Sequence, residues 1–366
     1  MKKRFFFGLL LLGTVPAFSQ VTVTNDSDLP FDQAVVEIPW ATVKKAFPAA
    51  DTAQLKVLAG KSELPWQAER KGTKDIQNLL VQVSVPAHGS LKLLFQKGKP
   101  TPVPAKTYCR YVPERYDDFA WENDRIAFRI YGAALDKRSD NAYGSDIWAK
   151  RTSALILNKW YKQNDYHNDH GEGLDYYHVG LTLGGGDIGA FLGDSIRYIH
   201  NYQKWEVLDN GPLRSTFRVT YPTYVFQGVT VQTVKTYSLD AGSQLSRILV
   251  ETTHTAPGAL PLVAGITLRK EPGMIVEDEK NGILAYWEPT HGKDGTIGVG
   301  CVFPGGNIKM SRRYEHALAH LSASGPVVYY SGGAWDKAGV ITSGLAWAHY
   351  LDAFAARLRN PLKINL

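Results

Sequence analysis

Cysteine is nearly absent from this 366-residue chain: there are two, Cys109 and Cys301. Two thiols so far apart cannot form a disulfide framework, so the fold must rest on a buried apolar core, and pairing of the two is left open. No apolar run approaches the roughly 20 residues that a membrane-spanning helix needs. There is no Gly-x-Ser-x-Gly elbow, which argues against an esterase of the α/β-hydrolase kind. Gly184-Gly185-Gly186 lacks the Lys and Ser/Thr of a phosphate loop and reads as a turn. Dense Lys/Arg runs are missing beyond the first residues, so nucleic acid is not an expected partner.

Those first residues carry much of the basic character. Met1-Lys2-Lys3-Arg4 precede an apolar run from Phe5 to Leu12 and a small-residue exit through Ala17 and Ser19. This is the pattern of a cleavable secretory signal over residues 1–19, and it predicts a periplasmic or secreted protein. Without it, 41 basic residues become 38 against 35 acidic ones, and the formal charge falls from +6 to +3. No cysteine follows the apolar run, so a lipid anchor is not indicated.

Short strand signals then dominate. Residues 20–97 hold five apolar or alternating runs, at Val21–Val23, Ala34–Ile38, Leu55–Leu58, Leu79–Val85 and Leu91–Phe95. They predict a small antiparallel sandwich. Residues 98–107 contain prolines at 100, 102 and 104 and read as a stiff, extended linker. Residues 108–366 supply many further strands with no βαβ rhythm, which predicts an all-β protein built on a large antiparallel β-sandwich. In Asp124–Tyr131 the residues Ile126, Phe128 and Ile130 share one face and Arg125, Arg129 and Tyr131 the other. One helix is predicted, near the C-terminus, with Trp347, Leu351, Phe354 and Leu358 in one stripe.

The richest chemistry lies between Trp160 and His178. Three histidines, several carboxylates and four tyrosines fall there without helical or strand periodicity, so the segment reads as a long loop. Gly171 and Gly173 flank Glu172 and would let the backbone aim it. Three readings compete. His170 and Glu172 could transfer protons, with Tyr176 or Tyr177 as further candidates. His167, Asp169, His170 and Glu172 could hold a divalent cation, though the spacing matches no strong zinc signature. Or the loop is solvated and inert. Elsewhere Arg129, Arg151 and Arg214 could pair with a substrate carboxylate. Trp287 and Glu288 follow a strand end, and Glu288 could be a second carboxylate.

The stretches Phe119–Gly132, Tyr166–Gly173 (with His170-Gly171-Glu172-Gly173 as its most specific element), Asn210–Arg214 and Tyr286–Pro289 together resemble a family of exported bacterial proteins classed as a domain of unknown function. Its members tend to be encoded beside enzymes that degrade pectin-like, uronate-containing glycans. The resemblance implies a galactose-mutarotase-like supersandwich. It also implies an enzyme that processes acidic oligosaccharides by acid–base chemistry, of lyase or isomerase type, needing no cofactor or a divalent cation. On the loop's own chemistry His170 would be the base, or Tyr176 or Tyr177, and Glu172 or a tyrosine would protonate the leaving oxygen, with Arg151 and Arg214 holding the carboxylate and Arg129, His167, Trp287 and Glu288 as further substrate contacts. A glycoside hydrolase using Glu172 and Glu288, and a protein that only binds glycans, are the rival expectations.

Overall fold

The computed structural model describes residues 20–366. The export signal read in residues 1–19 lies outside them. Alternation of apolar and polar residues settles the first unit. Strands Gln20–Thr24, Ser90–Lys97 and Leu55–Ala59 form one antiparallel sheet, and Phe31–Pro39, Asn78–Val85 and Trp66–Glu69 the other. The inward residues of both sheets, among them Val21, Val23, Leu93, Ile38, Leu79 and Val81, form a closed core. A short helix, α1 (Trp40–Ala46), packs at its edge. The chain's last strand, Lys363–Asn365, pairs with Gln20–Thr24, so the C-terminal end returns to this first sheet.

The large unit is a sandwich of unequal layers. One layer is a nine-stranded antiparallel sheet running from Lys204–Asn210 at one edge, through Val229–Asp240, Leu245–His254, Val327–Trp335 and Ile297–Val302, to Met274–Asp278 at the other. Two five-stranded sheets make up the opposing layer. The first contains Thr107–Val112, Asp118–Asn123, Ala127–Ile130, Asp146–Lys150 and Gly173–Leu174; the second is centred on Gly185–Leu192, Leu260–Thr267 and His316–Ala323. A continuous aromatic-rich core fills the space between the layers. The outcome is the mostly β, antiparallel architecture expected from the strand signals, and each of the runs read as a strand contains one. Gly185 and Gly186, read as part of a turn, instead open the strand Gly185–Leu192. Both cysteines are buried free thiols, each pushed up to about 12 by burial.

Three helices form among the described residues. The expected C-terminal one is α3 (Gly344–Arg359), capped by the Ser343 hydroxyl and anchored by buried Trp347, Leu351 and Ala355. The helix α2 (Leu157–Gln163) corrects the reading of a continuous loop from Trp160. It has only two turns, too few for a periodic signal, and its start is held from outside. The buried Glu122 carboxylate accepts from the amides of Ile156 and Leu157 at 2.8 and 2.9 Å and from Lys150 Nζ at 2.7 Å. Leu157, Trp160 and Tyr161 of α2 pack with Trp148 and Tyr166 on the outer face of the first five-stranded sheet. That sheet is therefore buried on both sides, which sets the position of Arg129.

Candidate functional site

Arg129 lies on the outer face of Ala127–Ile130, as the alternation predicts, yet it is 5% exposed because α2 and the loop after it cover that face. Its guanidinium sits 5.2 Å from the ring centres of Tyr131 and Trp148. Three carboxylates surround it: Asp146 at 2.5 Å, Asp175 at 2.8 Å and Asp118 at 3.7 Å. All three are buried. One guanidinium shared by three carboxyls in a medium of low polarity leaves burial the dominant influence on two of them. Burial pushes Asp118 up to about 7, and burial with the neighbouring Asp146 charge raises Asp175 well above the usual carboxylate range.

The cage opens into a cleft of about 510 Å³ at the seam between the two five-stranded sheets. Arg115, Arg129, Tyr131, Asp175, Tyr176 and Tyr177 contribute to its wall, and His167 and His178 stand at its exposed side. Several buried polar atoms here have no hydrogen-bond partner: Nε and one terminal nitrogen of Arg129, a terminal nitrogen of Arg115, and the hydroxyls of Tyr176 and Tyr177. Buried donors are nearly always satisfied, so such a concentration makes this cleft the candidate site. Behind the tyrosines stands a second ion pair. Arg269 Nε donates to Glu288 at 2.7 Å, and the Arg269 guanidinium lies 4.6 Å from the Tyr177 ring centre. Burial pushes Glu288 up to about 7. The Tyr176 ring stacks on His291 at 5.1 Å. Burial raises both tyrosine hydroxyls above their ordinary value, so they act as neutral donors and not as phenolate bases.

Of the residues singled out from sequence, Arg129, His167, Tyr176, Tyr177 and Glu288 gather at or behind this cleft. The others do not. His170 is exposed and pairs with Asp165 at 2.9 Å. Glu172 pairs with Lys159 of α2 at 2.8 Å, and that hydrogen bond holds its carboxyl below the usual range, which makes it a poor proton donor. Arg151 is held by Asp169 and stacks on Trp335. Arg214 is committed to other partners: Glu37 and Glu69 of the small unit and Asp240 of the large one all pair with it, so it joins the two units. Trp287 packs against the start of α3. Glu172 and Glu288 share no partner, which gives no support to a paired-carboxylate arrangement.

The expected cation ligands also diverge. His167 Nδ1 bonds the Asp175 carbonyl at 2.8 Å, Asp169 takes the amides of Gly171 and Gly173 as well as Arg151, and His170 and Glu172 have the partners just named. Among the described residues no three His, Cys, Asp or Glu side chains come together as a metal-binding group.

The His-Gly-Glu-Gly motif has a structural task that its chemistry does not suggest. Gly173 has φ +127°, and a Cβ there would lie 1.9 Å from the Ala149 carbonyl oxygen. Only glycine lets Gly173–Leu174 pair with Ala149 and Lys150, and that pairing carries Asp175 beneath Arg129. Gly173→Ala is expected to lower stability by more than about 2 kcal/mol in denaturant unfolding. Unchanged stability would show that the pairing is not needed.

Asp118, Asp146, Asp175, Arg115, Arg269 and His291 were not singled out from sequence. They come from separate strands and connections and carry no common spacing, so no local signal could have joined them.

A family model for the domain of unknown function DUF4861 matches residues 23–364. An uncharacterized protein of Formosa agariphila is 29% identical over 375 residues, covering 94% of this chain and 93% of that protein. Among solved structures, a protein of glycosyl hydrolase family 38 from Enterococcus faecalis aligns with a TM-score of 0.49 at 8% identity, covering 94% of this chain and 47% of its own. An alpha-mannosidase from Enterococcus faecalis gives 0.45 at 6% identity, with 94% and 45% covered. The chain spans a little under half the length of these two structures. By the family match over nearly its whole described length, the chain belongs to the DUF4861 family.

Proposed function

We propose that this protein is an exported carbohydrate-active enzyme that binds a uronate-bearing oligosaccharide in the Arg129 cleft and processes it by acid–base chemistry. The observation that carries this reading is the set of Arg115, Arg129, Tyr176 and Tyr177 donors without a hydrogen-bond partner, beside the Asp175 carboxyl, whose pKa burial raises well above the usual range. Two guanidiniums suit a sugar carboxylate. Tyrosine faces suit the apolar C–H surface of a pyranose, and their hydroxyls suit its oxygens. In lyase or isomerase chemistry the proton beside a carboxyl group is removed, and cationic donors stabilise the charge that develops on that carboxylate. The Asp175 carboxyl is the proton donor in this scheme, and His167 is the exposed base at the mouth of the cleft. Its Nδ1–H is committed to the Asp175 carbonyl, which leaves Nε2 as the accepting nitrogen. The export signal read in residues 1–19 would place this chemistry in the periplasm or outside the cell.

The test is incubation with fragments of pectin, ulvan and alginate, following both the ultraviolet absorbance of unsaturated uronates and the appearance of reducing ends. Turnover of an acidic fragment that falls sharply in Tyr176→Phe is expected. Binding without either signal would favour a glycan-binding role, and indifference to every acidic fragment would contradict the reading.

A further inference from the structure

An exposed tryptophan stacked on a half-buried tyrosine stands without an assigned task. Trp205 lies on the edge strand Lys204–Asn210 and is 44% exposed, among the largest exposed apolar side chains described. One face of its indole stacks on Tyr111 at 4.9 Å and 19° between planes, while Phe119 meets it tilted at 6.0 Å. An isolated exposed tryptophan is unremarkable, but this one is backed by a tyrosine that is itself bonded. The Tyr111 hydroxyl bonds the Asp117 carboxylate. Asp117 in turn is fixed from other directions. Its carbonyl accepts from the Tyr202 hydroxyl at 2.6 Å, and a Cβ on Gly132 would meet that oxygen at 2.2 Å. Tyr116 and Asp117 both adopt left-handed backbone, at φ 49° and 61°, a conformation that costs free energy at non-glycine residues and persists only where the surroundings impose it. The strained turn joins the platform to the cleft, because Arg115, immediately before it, lines the cleft wall. Four residues separate Arg115 from Tyr111, so their Cα atoms are at most about 14 Å apart.

We infer that the Tyr111–Trp205 pair is a sugar-stacking subsite that continues the Arg129 cleft and receives a further pyranose ring of a longer glycan. A flat, rigid indole supported from behind binds the C–H face of a sugar with little loss of side-chain freedom. This inference rests on the reading that the cleft takes a glycan, and it adds that chain length is recognised outside the cleft.

Glycan chain length separates the two claims. Wild type, Trp205→Ala and Trp205→Phe are titrated calorimetrically with short and long fragments of each acidic glycan in the panel, and turnover of the short fragments is followed in parallel. Trp205→Ala is expected to weaken binding of long fragments by about fivefold or more and to leave short-fragment affinity and turnover unchanged, with Trp205→Phe intermediate. Equal affinity of wild type and Trp205→Ala for long fragments would overturn the subsite while leaving the cleft reading intact. Equal weakening of short and long fragments would overturn it too, since Trp205 would then be supporting the cleft itself. If no fragment of any length binds, both readings fail.

Discussion

Arg129→Met is expected to lose about 3–5 kcal/mol of stability at pH 8, because it removes the guanidinium that pairs with three buried carboxyl groups. The loss should shrink on acidification. Asp118 and Asp175 have folded-state pKa values raised above those of the unfolded chain, so the folded protein binds more protons than the unfolded one between about pH 4 and 7. Across that window the cage therefore subtracts stability as pH rises. Removing the guanidinium raises both groups further, so the variant falls behind wild type most at high pH and least near pH 4, where the carboxyls are protonated in both. Denaturant melts of the two proteins at pH 4, 6 and 8 measure this. A pH-independent difference would mean that Arg129 stabilises by packing against Tyr131 and Trp148 and not by neutralising charge.

Asp175→Asn is expected to reduce turnover of an acidic glycan by about 10²- to 10⁴-fold, the usual contribution of a positioned proton donor. The amide keeps the shape and can still accept from Arg129, but it carries no transferable proton. Stability should be unchanged or higher at pH 8, since a buried group that resists ionisation has been replaced by one that cannot ionise. This combination separates chemistry from folding. An active Asp175→Asn protein would remove the carboxyl from the mechanism, and an inactive but strongly destabilised one would mark it as structural. The same substitution at His170, which faces solvent and bonds Asp165, should leave turnover nearly intact.

Residues with a regular period were legible from the sequence. Ile126, Phe128 and Ile130 were placed on the core face correctly, and Arg129 on the opposite face, because alternation fixes side. What alternation could not reveal is that this opposite face is also buried. The cover is α2, a two-turn helix whose start is held by Glu122 from another strand, so its cause is tertiary and lies 34 residues away. Without that cover Arg129 reads as a surface arginine. The dense loop around His170-Gly171-Glu172-Gly173 drew attention for its chemistry, yet His170 and Glu172 turn to Asp165 and Lys159. The motif's requirement is for Gly173, and its consequence appears two residues later at Asp175. Arg214 shows the same limit. Its residue type suited an anion, but Glu37, Glu69 and Asp240 supply the anions from both units of the fold.

The most direct measurement is a crystal structure of the Asp175→Asn protein soaked with the acidic fragment that wild type turns over. The sugar carboxylate should lie within hydrogen-bonding distance of Arg115 or Arg129, with Tyr176 and Tyr177 against the same ring. A fragment bound instead beside His170 and Glu172, or anywhere that leaves the Arg129 cleft empty, would contradict the account.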